Sequence, residues 1–209
     1  MKTREEQKRE THQRILQSAY QEFCNGGIQS FRAADVAKAA EVSHGAVFAH
    51  FRTQDELVVE MIETYTKEMA IQTHLSSANG TSVRAVMEAQ MEAMRKYEMF
   101  YARLLRDTEN LPPAARAAWV AVQSAISFHL CPALEHGMQA GTIKKAPVSL
   151  HFNAWMGLVS YYLLNARLFA PEGHVLERYG DTLIDHYLLL ICVALNNEDK
   201  EKEDHYDCL

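Results

Sequence analysis

The sequence predicts an all-α fold, and three observations support that prediction. Prolines and glycines number only five and nine among 209 residues, and 48% of the residues are hydrophobic, which is ample for a packed core. Alternating apolar and polar runs, which are typical of half-buried strands, are few. Apolar residues recur instead at intervals of three and four, as they do on one face of a helix.

The stretch from residue 31 to residue 51 predicts two short helices joined by a tight turn. Ser43 is placed to cap the second helix, and the small residues Ala37 and Gly45 allow the two helices to cross closely. A helix held in this way can enter the major groove of DNA. The alternative is an ordinary pair of core helices. The small or apolar residues at helical spacing are Ala33, Val36, Ala37, Ala40, Val42 and Val47.

Over about residues 10–58 the chain resembles the DNA-binding domain of tetracycline-repressor-type (TetR family) regulators. Residues 14–27 resemble the family's first helix with its glycine stop, and residues 51–57 resemble the start of its fourth helix. Thr53 and Glu56 also have the spacing of a capping box. The resemblance implies a three-helix, helix-turn-helix DNA-binding domain over residues 1–52. It also implies a helical ligand-binding and dimerisation domain over residues 53–195.

Several positions depart from the family's usual residues. Glu41 stands where a turn glycine is usual, which predicts strain in the turn. Phe48 replaces a frequent tyrosine and Gln54 a frequent lysine, so one hydroxyl and one positive charge for phosphate are missing. We expect Ser30 to cap the second helix and Arg32 to supply part of the missing phosphate contact.

The second helix of the pair carries most of the candidates for reading DNA. His44 can donate to a guanine acceptor, and the methyl groups of Ala46 and Ala49 can touch thymine methyl groups. His50 resembles the family's phosphate-contacting residue, and the alternative for both histidines is simple exposure to solvent. The predicted DNA-binding residues are Arg32, Ser43, His44, Gly45, Ala46, Phe48, Ala49, His50 and Gln54.

The net charge of −6 argues against a generally basic nucleic-acid binder, but the charge is unevenly distributed. Residues 1–58 hold eight Lys or Arg and eight Asp or Glu, which gives zero, so the remaining residues carry all of the −6. Lys8 and Arg9 lie near the start of the chain and can reach phosphates. This distribution suits a protein that binds one operator and dissociates readily from other DNA.

The second domain is expected to contain further helices and an effector site. Ser82 is placed to cap one helix, and Pro132 is expected to kink or split a later one. Large, adaptable side chains on the central helices suit a cavity for an apolar or aromatic effector. The candidate polar anchors are Gln123, Asn153 and Arg103, and the alternative for the whole set is plain hydrophobic core. The predicted ligand-binding residues are Met87, Met91, Met94, Tyr97, Tyr101, Leu105, Trp119, Gln123, Phe128 and Trp155.

The last two predicted helices, near residues 148–169 and 172–195, are apolar around most of their circumference. One chain of this size can bury only one face of each, so a four-helix interface between two copies would cover the rest. The family resemblance implies the same homodimer, and the alternative is burial within one chain. The predicted interface residues are Leu158, Tyr162, Leu183, Tyr187, Leu188 and Ile191.

The pattern of reactive residues argues against an enzyme. No Gly-x-Ser-x-Gly, phosphate-binding glycine loop or His-Glu-x-x-His occurs. His129 and Cys131 are close in sequence but point apart on a helix, so no metal or other cofactor is predicted. The scattered cysteines and the absence of a secretory signal predict reduced thiols in a cytoplasm. The longest apolar stretch recognised, near residues 152–164, is too short to span a membrane.

Together these features predict a ligand-responsive transcriptional regulator. We expect a repressor that binds a palindromic operator as a dimer and is released by a small apolar or aromatic effector. Two alternatives remain open, namely a regulator controlled by a protein partner and, with less support, a helical enzyme. The polar, acidic segment 196–209 is predicted to be disordered.

Overall fold

The computed structural model describes residues 3–77 and 82–193. In those residues it contains helices and one isolated antiparallel bridge between Ile143 and Cys192, so the all-α prediction is confirmed. The predicted disordered segment 196–209 and most of the loop predicted at 76–81 lie outside the described residues. The helices are α1 (Arg4–Gly26), α2 (Ala33–Ala39), α3 (His44–His50), α4 (Gln54–Ser77), α5 (Val83–Lys96), α6 (Glu98–Asp107), α7 (Pro113–Ala140), α8 (Val148–Leu164), α9 (Ala166–Phe169) and α10 (Val175–Ile191).

The chain divides into two compact units. Unit 1 comprises residues 1–68 and 99–122, and unit 2 comprises residues 69–98 and 123–209. The predicted functional boundary between residues 52 and 53 stays a prediction.

Unit 1 is built around α1, α2 and α3. Its fully buried aromatic residues include Phe23, Phe31 and Phe51. Helix α1 is followed by Gly27 at its C-cap, whose φ of 72° is in the left-handed region that glycine adopts without strain. Arg103 of α6 donates to the carbonyl oxygens of Cys24 and Asn25 at this end, at 2.9 and 2.6 Å. Two nitrogens of the Arg103 guanidinium therefore hold the end of α1. The role of effector anchor predicted for Arg103 from sequence stays a prediction.

Unit 2 contains α5, α8 and α10, with α10 packed against both of the others. Ser82 caps α5 as predicted, because its hydroxyl accepts from the Ala85 amide at 3.1 Å. The carboxylate of Glu98 accepts from the amides of Val175 and Leu176, at 2.8 and 3.0 Å, and so caps α10. Since Glu98 lies 77 residues before Val175, local sequence patterns do not reveal this cap.

Helix α7 is continuous through Pro132, so the predicted split does not occur. It is the one described helix long and apolar enough to cross a membrane by length and composition, with a mean hydropathy of 1.3. A core helix of a bundle passes the same test, so this is weak evidence for a membrane span. The buried residues of α7 recur every three or four positions, as on one face of a bundle helix: Ala115, Trp119, Val122, Ile126, Leu130 and Leu134.

Candidate nucleic-acid interface

Helices α2 and α3 form a short helix-turn-helix within unit 1. Buried Val36 and Ala37 of α2 and buried Val47 of α3 supply its apolar contacts. The hydroxyl of Ser43 accepts from the amide of Ala46 at 3.1 Å, which confirms the predicted cap. Because Val47 anchors one side of α3 in the core, the opposite side of the helix is left open to a partner.

The open side of α3 consists of residues predicted to contact DNA. His44, Gly45, Phe48 and Ala49 are exposed, whereas Ala46 is half-buried. The rings of His44 and Phe48 meet edge to face, with 4.9 Å between their centroids. Phe48 is 38% exposed, and its apolar ring suits contact with thymine methyl groups. These positions are compatible with DNA contact, and the contacts themselves stay a prediction.

The turn between α2 and α3 carries the strain that its sequence predicts. Glu41 has φ 54°, and it is the one non-glycine residue with positive φ in the described part of the chain. An L-residue in this conformation costs about 1–2 kcal/mol because its Cβ approaches the backbone. The turn therefore requires a left-handed residue, and glycine would adopt that conformation without the steric cost.

Replacing Glu41 with glycine should raise the free energy of unfolding by about 0.5–1 kcal/mol, because relief of the steric cost exceeds the entropy that glycine adds to the unfolded chain. Chemical denaturation measures this change. Glu41→Ala is the matched control, since alanine removes the same side chain but keeps the Cβ that causes the strain. Equal stabilisation by glycine and alanine would contradict the conformational explanation.

Gln54, predicted from sequence as a DNA-contacting residue, is bonded within unit 1. Its side-chain oxygen accepts from the Ala33 amide at 3.1 Å, and its side-chain nitrogen donates to the Phe31 carbonyl at 3.2 Å. The Ala33 amide is the first of α2 and has no cap from its own neighbours. Gln54 therefore acts as the missing cap of α2 and joins the starts of α2 and α4.

The prediction that Ser30 caps α2 is wrong, because α2 begins after Arg32 and lacks a side-chain cap from that position. Arg32 is exposed, and its Nη1 donates to the carbonyl oxygens of Gln29 and Phe31 at 3.0 and 2.8 Å. These bonds hold the guanidinium at the surface of the turn before α2. A phosphate contact by Arg32 would use the remaining nitrogens of the group.

The capping box predicted at the start of α4 is formed in part. Thr53 accepts from the amide of Glu56 at 3.0 Å, as predicted. The Glu56 carboxylate reaches the amide of Arg52 at 2.6 Å. The structure therefore places the return bond one residue earlier than the capping-box spacing predicts.

A groove of about 520 Å³ lies beside α3, between the start of α1 and His50. The His12 ring stacks on Phe51, with 4.7 Å between centroids, and lies 5.5 Å from the His50 ring. His12 Nε2 is 2.6 Å from a carboxylate oxygen of Glu60. The groove combines two basic side chains, two histidines and two acids, which suits a phosphate contact that depends on pH. Its lining residues are Thr3, Glu5, Glu6, Lys8, Arg9, His12 and His50.

The environment of His50 favours its neutral form. Burial lowers the pKa of His50 below its ordinary value, and the positive charges of His12 and Lys8 lower this pKa further. A DNA phosphate beside His50 would favour the protonated ring and raise the pKa again. DNA binding would then take up a proton, so affinity should increase as the pH falls through the window between the two pKa values.

We therefore expect operator affinity to rise roughly threefold to tenfold between pH 8 and pH 6. Fluorescence anisotropy of labelled operator DNA at constant ionic strength measures this rise. His50→Gln should remove part of the rise, and His136→Gln, which changes an exposed histidine of α7, should preserve it. A rise of unchanged size in His50→Gln would show that His50 does not take up the proton.

The predicted ligand-binding residues fall in both units. In unit 1, Tyr101 and Trp119 are buried with their rings edge to face at 4.8 Å, and Leu105 is half-buried. In unit 2, Gln123 is half-buried and Phe128 is 67% exposed, so Phe128 does not belong to the core. Asn153, a candidate anchor, is also exposed. The remaining members are buried in unit 2, namely Met87, Met91, Met94, Tyr97 and Trp155.

The predicted interface residues are largely buried within their own chain. Leu158 and Tyr162 of α8 are half-buried, and the four members on α10, Leu183, Tyr187, Leu188 and Ile191, are each at most 6% exposed. The burial of those four residues within one chain argues against direct contact with a second copy, since α10 already packs against α5 and α8. The open apolar residues of these helices lie on other faces: Leu150, Ala154, Gly157, Tyr161 and Leu164 on α8, and Leu189 and Leu190 on α10.

Reactive side chains do not form a recognisable centre in the described residues. No group of three or more His, Cys, Asp or Glu within residues 3–77 and 82–193 could hold a metal ion. Cys131 lies 3.3 Å from the hydroxyl of Ser127, and burial raises the pKa of the Cys24 thiol to about 11. A thiol with that pKa is protonated at neutral pH and is not a nucleophile.

The family sequence model described as "Bacterial regulatory proteins, tetR family" matches residues 15–61, which include all of α2 and α3. Residues 15–61 are a TetR family DNA-binding domain. The chain is a DNA-binding transcriptional regulator by this helix-turn-helix domain, and the resemblance seen in residues 10–58 is confirmed.

Solved TetR family structures share the fold over most of the chain. A regulator from Agrobacterium tumefaciens has a TM-score of 0.74 and 20% identity, covering 89% of this chain and 100% of its own. PfmR from Thermus thermophilus has a TM-score of 0.66 and 22% identity, covering 82% and 97%. FadR from Bacillus subtilis, solved with stearoyl-CoA, has a TM-score of 0.67 and 11% identity, covering 84% and 97%. No curated protein sequence matches this chain.

Proposed function

We propose that this chain is a repressor that binds a palindromic operator as a homodimer and releases it when a small apolar or aromatic effector binds. The observation that carries the proposal is the surface of α3. His44, Phe48 and Ala49 are exposed on a helix whose opposite side is anchored by Val47. This arrangement leaves the groove-facing side of a recognition helix free for base edges. We also propose that the regulator acts in the cytoplasm.

The proposed dimer uses the exposed apolar face of α8. No Asp, Glu, Lys or Arg occurs among the 17 residues of this helix, although part of it faces solvent in the single chain. The exposed members recur every three or four positions, which produces one continuous stripe: Leu150, Ala154, Gly157, Tyr161 and Leu164. Such a stripe is expected to be covered by its symmetry mate, and exposed Leu189 of α10 would extend the interface.

The proposed effector site lies among the buried methionines and aromatic residues of unit 2, such as Met91, Met94 and Trp155. Methionine side chains adapt to ligands of different shape, which favours a site in this part of the core. Helix α4 runs without a break from Gln54, which bonds α2, to Ser77. We propose that an effector shifts this helix and thereby changes the spacing of the two recognition helices of a dimer. FadR of Bacillus subtilis, a structural neighbour, was solved with stearoyl-CoA, which illustrates ligand binding in this fold.

Footprinting and paired titrations test this function. The protein should protect two half-sites about 34–36 Å apart, or a multiple of that, on DNA next to its own gene. An effector that lowers the affinity of the protein for the operator 5- to 150-fold, equivalent to about 1–3 kcal/mol, must itself bind more weakly by the same factor when operator is present. Equal effector affinities with and without operator would favour the second candidate, a regulator controlled by a protein partner.

A further inference from the structure

Gln90 is a polar residue buried in the apolar part of unit 2. It lies on α5 and is only 1% exposed. Its side-chain oxygen accepts from the indole nitrogen of Trp155 on α8, at 3.0 Å. This bond fixes the orientation of the amide, so the NH₂ group of Gln90 points away from the indole.

The NH₂ group meets two thioether sulfurs, of Met94 at 3.5 Å and Met156 at 3.4 Å. Thioether sulfur is a weak acceptor, and a buried amide donor without a strong acceptor is destabilising. Among the buried polar residues described in unit 2, the others have oxygen or backbone partners. Thr73 donates to the Met69 carbonyl, and the Glu98 carboxylate accepts from two amides. His151 pairs with the Lys144 carbonyl.

The surroundings of this donor are adaptable and apolar. Met87, Met91 and Met94 line the buried side of α5, and Met156 follows Trp155 on α8. Unbranched methionine side chains can rotate aside to admit a ligand. The buried carboxylate of Glu98 on α6 accepts from two amides and lies 3.8 Å from His174 Nδ1, so it is already committed to the start of α10 rather than to a charged ligand.

We propose that Gln90 is the polar anchor of the effector site, and that its Nε2 donates to a carbonyl oxygen of an uncharged, otherwise apolar or aromatic ligand. The ligand oxygen takes the place of the sulfurs of Met94 and Met156. This inference rests on the proposed effector-controlled function and adds the chemical class of the effector. None of the anchors predicted from sequence includes Gln90, because its partner Trp155 is 65 residues away.

The competing explanation is that Gln90 serves only to accept the indole hydrogen of Trp155. Two variants separate these roles. Trp155→Phe removes the indole donor and leaves the NH₂ group of Gln90 in place. The double variant Gln90→Leu with Trp155→Phe removes both polar groups together, so it leaves neither partner unsatisfied and is expected to fold. Helical circular dichroism and a cooperative thermal transition confirm that each variant is folded.

Two probes of nearly equal shape test the anchor on the full-length protein, namely 2-acetylnaphthalene, which carries a ketone, and 2-ethylnaphthalene, which lacks it. The unaltered protein and Trp155→Phe should bind the ketone about tenfold more tightly than the hydrocarbon, measured by equilibrium dialysis. In the double variant the two affinities should agree within about twofold. Equal affinities in the unaltered protein, a preference that persists in the double variant, or no binding of either probe would overturn the proposal.

A separate measurement isolates the proposed regulatory function. The same ketone is added to the unaltered protein on labelled operator DNA, and release is followed by fluorescence anisotropy. If the ketone preference depends on Gln90 but the ketone does not change operator affinity, the anchor role of Gln90 stands and the proposed control by an effector is contradicted. If the ketone releases the operator but binds the double variant as tightly as the unaltered protein, control by an effector stands and the anchor role of Gln90 is contradicted.

Discussion

Replacing Gly157 with glutamate should convert the protein from a dimer to a monomer and lower its operator affinity by at least about a hundredfold. Gly157 is exposed near the middle of the α8 stripe, and a Cβ added there would meet no atom of its own unit within 4 Å. The substitution should therefore leave the single chain folded. In a dimer that pairs the stripes, however, two carboxylates would be buried without partners, at a large cost in free energy.

Sedimentation equilibrium measures the mass of the variant, and anisotropy of labelled operator measures its affinity. The matched control is Ser149→Glu, which places the same carboxylate on an exposed position of α8 outside the stripe. The control should remain dimeric and bind operator normally. A dimeric Gly157→Glu variant with normal operator affinity would show that α8 does not form the interface.

The proposed interface illustrates what the sequence can predict and what it cannot. The apolar character of the last helices predicts that they have more than one buried face. Hydrophobicity does not distinguish a face buried in one chain from a face buried between chains, because both exclude water. The structure shows which residues are buried within one chain: Leu188 is fully buried, whereas the adjacent Leu189 is 73% exposed. That the exposed face is covered by a second copy stays a proposal.

Local chemistry, by contrast, predicts the helix-turn-helix well. The Ser43 cap depends on residues within three positions, so spacing is sufficient to identify it. The strain at Glu41 follows from a non-glycine residue at a position where the family resemblance implies a turn glycine. The roles of Gln54 and Gln90 depend on partners 21 and 65 residues away. No local periodicity indicates those contacts, and both residues therefore acquire their roles only when the fold is known.

Replacing Gln54 with leucine should lower operator affinity by about tenfold or more. It should also lower the free energy of unfolding by about 2 kcal/mol, because two hydrogen bonds are lost and the buried Ala33 amide is left without an acceptor. Amide hydrogen exchange gives a direct readout, because protection at Ala33 should fall more than protection elsewhere in α2. Gln21→Leu changes an exposed glutamine of α1 in the same way and should have little effect on either quantity.

The decisive variant is Gln54→Lys, since lysine is the residue that the family frequently has at this position. If Gln54 acted chiefly on phosphate, the added positive charge would tighten operator binding and steepen its dependence on salt. Lysine has no acceptor, however, so it cannot replace the bond from the Ala33 amide, although it can still donate to Phe31. If Gln54 positions the recognition helix, Gln54→Lys should weaken operator binding despite its charge and expose the Ala33 amide to exchange. Gln54→Glu, which keeps an acceptor, should preserve Ala33 protection. Tighter binding by the lysine variant would show that the cap supplied to α2 is dispensable for reading DNA.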